Sequence, residues 1–212
     1  IDWINNWKQY FHQFYVDDVL IIPSWEEVKP EDEDKMIIHI DPGTAFGTGM
    51  HETTQLCIRQ IKKYVTPDTE LLDVGTGSGI LAILAIMYGA KHCVGTDLDP
   101  CAVDAVRENM EANSIDPAAF QMMIGNIITD EEVQKKVGFG CYDIVVANIL
   151  ADVLVPLTPV IVHQLKKGGI YITSGIIDDK EQTVVEAVKA AGLEVLEVTY
   201  QGEWVSVTAR KN

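Results

Sequence analysis

Glycines stand at alternate positions in "LLDVGTGSGIL": Gly75, Gly77 and Gly79. Placed between a strand and a helix, such residues let main chain approach a ligand closely and let the helix begin against the strand. Asp97, in "GTDLDP", follows Gly77 by 20 residues. A carboxylate there, at the end of the next strand, is placed to accept hydrogen bonds from ribose hydroxyls. The pair predicts a nucleoside-containing ligand that needs no phosphate. Ile80 occupies the place of the last glycine in the dinucleotide fingerprint G-x-G-x-x-G, which weighs against a nicotinamide or flavin. No G-x-x-x-x-G-K-[ST] run occurs, so a P-loop is excluded. Asn148 ends "YDIVVAN", where open parallel sheets meet substrate, yet by position alone it is equally a turn residue or helix cap. Asp99, before Pro100, reads as a helix-start signal with a structural role.

These residues need a scaffold, and the chain supplies alternation. "ELLDVG", "KHCVGTD", "FQMMIGN", "YDIVVAN" and "GGIYITSG" are short apolar runs of strand length. Helical segments fall between and after them at 78–88, 100–113, 130–137, 151–166 and 178–191. Such alternation predicts a parallel sheet with helices on both faces. "LEVLEVTY" and "EWVSVTAR" leave no room for a crossover helix, so they predict an antiparallel hairpin. Upstream, the aromatic spacing of "DWINNWKQYFHQFYV" predicts a helix with Asp2 as its cap, and "DVLIIPSW" and "KMIIHID" predict strands. "EEVKPEDEDK" reads as a solvated acidic connector, and a helix is expected to start at Thr53 or Thr54. Between them, "DPGTAFGTGMHETT" fits either a ligand-holding loop or a plain run of turn formers.

Composition narrows the function classes. The 212 residues carry 16 Lys and Arg against 32 Asp and Glu, a net charge of −16. That surface repels nucleic acid, no basic run offsets it, and it would attract a basic protein, although solubility alone accounts for the charge equally well. "ILAILAIMYGA" is too short and broken to span a bilayer, and no secretory signal opens the sequence. Ile1 is not an initiator methionine, so an upstream segment is expected to have been removed. Cys57, Cys93, Cys101 and Cys141 form no C-x-x-C pair; they suit a reducing cytosol and read as small buried hydrophobes.

On these residues the sequence resembles the class I S-adenosylmethionine-dependent methyltransferases. "DVGTGSG" resembles their first motif, "GTDLD" the second and "DIVVANIL" the fourth. More narrowly, "DPGTAFGTGMHETT" with "LLDVGTGSGILAI" and "VVANILA" is similar to the PrmA family, bacterial methyltransferases of a large-subunit ribosomal protein. The likeness runs from about Trp3 to the end, "WKQYF" and "PSWEE" included. Met50 and Glu52 depart from the Thr and Pro of the family pattern; neither supplies an obligatory chemical group.

The resemblance implies a doubly wound, mostly parallel, seven-stranded Rossmann-like α/β sheet with an antiparallel C-terminal hairpin. It implies S-adenosyl-L-methionine as methyl donor and no metal. Donor contacts carry over to Thr54, Gly75, Asp97 and Asn148, with Asp73 and Gly77 of the glycine motif and Phe46 as a stacking surface. Without the resemblance, Thr54 only caps its helix and Phe46 fills a local core. Asn148 is also the catalytic candidate: its carbonyl can orient an amine, though it cannot act as a base. A histidine such as His51, alone in a glycine loop, is more often structural than a base, and no general base is assigned. Trp204 either borders the pocket or packs on the sheet, the second being the commoner role.

The implied reaction methylates lysine side chains and/or the N-terminal α-amine of a basic ribosomal protein, in the cytoplasm, with no direct nucleic-acid or membrane contact. Another protein or a small-molecule nitrogen as acceptor stays open, as does a donor-binding module without turnover; oligomeric state is not set. "ILA" after Asn148, in place of P-P-Y, weighs against amide-nitrogen enzymes. The resemblance also implies an N-terminal domain that grips the substrate. Residues 1–35 are therefore expected to be a linker helix and short strand, and 36–212 the donor-binding methyltransferase domain. This stretch is expected to bind donor but to methylate protein poorly.

Overall fold

The computed structural model describes residues 11–43 and 50–212. Among them the chain runs β1 (Phe14–Val16), β2 (Val19–Pro23), β3 (Met36–Ile40), α1 (Met50–Tyr64), β4 (Glu70–Val74), α2 (Ile80–Met87), β5 (His92–Asp97) and α3 (Cys101–Ala112). It continues β6 (Phe120–Ile124), α4 (Glu131–Val137), β7 (Tyr142–Asn148), α5 (Ala151–Ile161), β8 (Leu165–Ile177), α6 (Glu181–Ala190), β9 (Glu194–Gln201) and β10 (Trp204–Arg210). Among the described residues, no helix is long and apolar enough to cross a membrane.

Seven strands form one sheet in the order β6-β5-β4-β7-β8-β10-β9. Pairs from β6 through β8 are parallel; β10 runs antiparallel between β8 and β9. This is the doubly wound, mostly parallel sheet with a terminal hairpin that the sequence predicts. Leu71–Val74 of β4 and Ile144–Ala147 of β7 are buried without alternation, as strands covered on both faces must be. On one face Leu71 and Ile144 meet Ile58 of α1, Ile83 of α2 and Val106 of α3. On the other, Leu72 and Val145 meet Val133 of α4, Leu154 of α5 and Val188 of α6. Strand order reverses beside β4, with β5 and β6 to one side and β7 and β8 to the other. A crevice therefore opens at the carboxyl ends of β4 and β7.

A smaller sheet pairs β1 antiparallel to β2 and β2 parallel to β3. It ties chain on either side of residue 35 by main-chain bonds. Val19, Ile21, Ile38 and Ile40 enter the same core as α1 and α2.

Local readings need correction in several places. Residues 14–16, the end of the stretch expected to be helical, form β1; the alternation of Phe14 and Val16, both buried, with exposed Tyr15 is strand-like. Residues 3–10 of that stretch, with Asp2, lie outside the described residues. The acidic connector is not wholly solvated, because buried Asp32 accepts hydrogen bonds from Tyr15 Oη at 2.9 Å and Lys35 Nζ at 3.0 Å. α1 begins at Met50, about one turn before Thr53. α5 ends at Ile161, short of 166, because the Gln164 carbonyl accepts Cys141 and Tyr142 N–H and draws the chain into β8 beside β7. Cys57 and Cys93 are core hydrophobes as expected, but Cys101 is exposed.

Asn109 of α3 and Asn113, which caps its carboxyl end, fasten the strand that leads toward the glycine- and threonine-rich segment. Asn113 Oδ1 accepts His39 N–H at 2.8 Å, and its Nδ2 donates to His39 O at 2.7 Å. One helical turn earlier, Asn109 Oδ1 accepts Asp41 N–H at 2.9 Å. Its Nδ2 donates to Asp41 O at 2.9 Å and to Ser78 O at 2.8 Å. The buried Asn109 amide thus holds residue 41 and the glycine turn at a set spacing. Unpairing buried polar groups costs about 1–3 kcal/mol each. Asn109→Ala is therefore expected to lower the unfolding free energy by roughly 3 kcal/mol in chemical denaturation, whereas the exposed neighbour Glu108→Ala should stay within about 0.5 kcal/mol.

Candidate functional site

Gly75, Asp97 and Asn148 lie at the carboxyl ends of β4, β5 and β7. β4 runs into Gly75, whose φ of +71° belongs to the left-handed region. A side chain there would also meet Ile149 Cγ2 at 2.9 Å, so glycine is required twice over. Gly75 and Thr76 N–H both donate to Thr96 O, at 2.9 and 3.0 Å, which staples the turn to β5. The next residue reaches the site itself: Gly77 N–H donates to Asp97 Oδ2 at 2.9 Å. Asp97 Oδ1 accepts Asp99 N–H at 3.0 Å. A carboxylate offers about four lone-pair positions. The two main-chain donors fix its plane and leave acceptor capacity for two more donors, which a vicinal diol supplies.

A cavity of about 580 Å³ opens beside this carboxylate, within the range of small-molecule sites. Gly75, Asp97, Asn126 and Asp152 supply its polar lining; Leu98, Ile127, Ile149 and Leu150 supply much of its apolar wall. Leu98 is 69% and Leu150 68% exposed, an unusual display of two leucines at one mouth unless something flat covers them. A second cavity of about 350 Å³ lies on the other side of Asp97, between Pro42–Gly43 and Gly77–Ser78. Asp97 and the glycine turn border both. The arrangement can hold an apolar-faced ring system with a diol at one edge and extend along exposed main chain.

At the neighbouring strand end, Asn148 of β7 is half-buried, and its Nδ2 donates to Thr53 Oγ1 of α1 at 3.3 Å. Ile149, next in the chain, forms cavity wall. Thr54 is fully buried near the start of α1, one turn in from Met50. Asp73 is also buried and lines neither cavity; its carboxylate accepts the Thr76 hydroxyl at 2.7 Å and so braces the glycine turn from beneath. Phe46 lies outside the described residues. Asp99 Oδ1 accepts Cys101 N–H at 2.9 Å, the helix-start role expected of it. His51 stacks on Phe14 at 4.5 Å between centroids, and burial lowers its pKa, so the ring is neutral at pH 7 within an aromatic nest. Trp204 pairs across the sheet with Gln201 and Ile177, half-buried.

Thr53, Asn109, Asn126 and the apolar wall were not singled out from the sequence. Asn126 had a usable signal: it follows β6 as Asp97 ends β5 and Asn148 ends β7, so the same strand-end rule selects it. The others depend on contacts between distant segments.

Sheet order, switch-point crevice and glycine–carboxylate pair together define a methyltransferase-fold domain. The chain belongs to the family described as "Ribosomal protein L11 methyltransferase (PrmA)", which it matches over residues 1–212. It is 59% identical to the ribosomal protein L11 methyltransferase of Agathobacter rectalis and 54% identical to that of Lachnospira eligens. Those alignments cover 100% and 99% of this chain and 66% of each relative, so the chain spans slightly under two thirds of their length. A crystal structure of ribosomal protein L11 methylase from Lactobacillus delbrueckii subsp. bulgaricus superposes with a TM-score of 0.83 at 32% identity, covering 95% of this chain and 100% of that one. A TehB-like methyltransferase from Corynebacterium glutamicum, 18% identical with a TM-score of 0.58 over 74% of this chain and 87% of its own, shares the fold.

Asp73 makes this turn pH-sensitive. Burial pushes its carboxyl from an ordinary 3.8 up to about 7; the Thr76 hydroxyl opposes that shift and the charge on Asp97 adds to it. Between those values the folded chain keeps a proton that the unfolded chain releases. The stability contribution is therefore whole below about pH 4 and lost as pH rises through about 7. Asp73→Asn carries no such loss. In denaturant titrations the difference between variant and parent should move in the variant's favour from pH 5 to pH 8, by up to roughly 2.5 kcal/mol. A difference independent of pH would contradict this.

Proposed function

We propose that this chain is the donor-binding, catalytic part of an S-adenosyl-L-methionine-dependent N-methyltransferase. Its substrate is a basic large-subunit ribosomal protein, L11, methylated on lysine side chains and/or the N-terminal α-amine. The observation that carries the reading is the Asp97 carboxylate, held by Gly77 and Asp99 N–H at the border of both cavities. Family membership supports the same conclusion.

S-adenosyl-L-methionine, when bound, supplies a methyl on a cationic sulfur: the amine lone pair forms the N–C bond, the C–S pair returns to sulfur, and the new ammonium loses its proton to water. The chain's part is position and surroundings. Asp97 accepts the ribose hydroxyls. Leu98, Ile127 and Leu150 form a wall for the base, and the side-chain-free positions Gly75 and Gly77 admit the rest of the donor against main chain. Asn148, at the switch point, accepts an N–H of the incoming amine through its carbonyl.

Amine ionisation sets the demand on the site. A lysine with pKa near 10.4 costs roughly 4.6 kcal/mol to deprotonate at pH 7, an α-amine near 7.7–8.0 only about 1 kcal/mol. The α-amine is the easier nucleophile, and a lysine must be desolvated by the cleft. The net charge of −16 favours encounter with a basic protein. Four free cysteines suit a reducing cytoplasm, where the chain is placed by this reading.

Titration calorimetry with S-adenosyl-L-methionine, followed by incubation of purified protein L11 with labelled donor, tests the proposal. Asp97→Ala should lose a charge-assisted hydrogen bond worth roughly 1.5–3 kcal/mol, a drop in donor affinity of about 10- to 150-fold. Unchanged affinity would remove Asp97 from the ribose role.

A further inference from the structure

An asparagine amide has two ends of nearly equal shape and opposite hydrogen-bonding sense, so the partner of one end decides what the other presents. For Asn148 that partner is Thr53. Asn148 Nδ2 lies 3.3 Å from Thr53 Oγ1. The Thr53 hydroxyl hydrogen is committed elsewhere, toward Met50 O at 3.4 Å, one turn back in α1. Toward Asn148 the hydroxyl therefore offers a lone pair, and only the NH₂ end can face it.

Thr53 is itself held to the sheet. Ser174, the register partner of Asn148 on β8, donates its hydroxyl to Thr53 O at 3.0 Å, and Ser174 O accepts Ile149 N–H at 3.2 Å. Thr53 and Ser174 are both buried, so water does not replace these contacts. The opposite end of the amide is given room. A Cβ on Gly175, whose φ is +84°, would lie 3.1 Å from Asn148 Oδ1 and 2.7 Å from Ile149 O. Glycine at that position leaves the carbonyl oxygen uncrowded.

We infer that Thr53 is a positioning residue that locks Asn148 with its carbonyl, not its NH₂, presented to the nucleophile. This rests on the methyltransferase reading above. The sense of the amide matters because an attacking amine must keep its lone pair for the methyl carbon. A carbonyl accepts an N–H and leaves that pair free; a flipped amide would donate to the pair and suppress attack.

The test begins with the unsubstituted chain. In ¹⁵N-labelled protein, with the Asn148 side-chain resonances identified by their loss in Asn148→Ala, cross-relaxation is expected between the Asn148 NH₂ hydrogens and the Thr53 methyl. Its absence would overturn the inference, whatever the chain's activity. Thr53→Val, close in shape but without an acceptor, should lose the distinct NH₂ shift, and Thr53→Ser should keep it. With labelled donor and protein L11, Thr53→Val should lower kcat by about tenfold or more while the donor KM stays within about twofold, and Thr53→Ser should recover most of the rate. A folded Thr53→Val chain with parental resonances and parental kcat would also overturn it. Donor binding and turnover absent from the unsubstituted chain would instead count against the methyltransferase reading, and the cross-relaxation would still decide the amide's orientation.

Discussion

The contact on which the rest of the structure depends is one main-chain hydrogen bond, Gly77 N–H to the Asp97 carboxylate. It joins the turn after β4 to the end of β5, the two places from which a nucleoside can be gripped. A carboxylate that also accepts Asp99 N–H keeps one plane, and its remaining lone pairs face a ligand already aimed. The turn cannot carry side chains at Gly75 without striking Ile149, which is why cavity wall and glycine position belong together. Asp73 and Thr76 secure the same turn from below, at a cost in stability that grows as the pH rises toward neutrality and Asp73 ionises.

Around that contact, three asparagines do what strands and helices do not reach. Asn109 of α3 and Asn113, which caps it, substitute side-chain amides for a missing strand partner along residues 39–41. Asn109 adds Ser78 O, so residue 41 and the glycine turn are tied to one side chain. Asn148 joins β7 to α1 through Thr53. Asn109 and Asn113 each use both ends of the amide, accepting through Oδ1 and donating through Nδ2, so each carries an orientation that a hydroxyl or a carboxylate would not. Geometry of this kind suits a reaction in which the donor brings the reactivity and protein supplies placement.

Much of this was legible from local pattern. Alternating apolar runs and helices led directly to a parallel sheet with helices on both faces, because strands covered on both faces leave uninterrupted apolar segments such as "IVVA". Gly75, Gly77 and Asp97 were legible because a fixed turn shape and a fixed distance to the next strand end force residue types at set spacing. What stayed hidden has a physical cause in each case. Phe11 and Phe14 keep a helical spacing while Phe14 and Val16 alternate as a strand does, and pairing with β2 decided for the strand. Asp32 read as one more surface acid because its partner Tyr15 is 17 positions away. Thr53 and Asn148 are 95 positions apart, and Asn109 is 68 from Asp41, so no window of sequence contains either pair.

The central claim is that a donor nucleoside occupies the crevice bounded by the glycine turn, Asp97 and the ends of β6 and β7. Backbone hydrogen exchange, followed residue by residue with and without S-adenosyl-L-homocysteine, tests it most directly. The account predicts slowed exchange confined to residues 75–79, 97–99, 125–128 and 149–153, with the amino-end groove around Glu70, His92 and Lys166 unaffected. Protection at that opposite groove, or none at the crevice when the ligand is in excess, would contradict it.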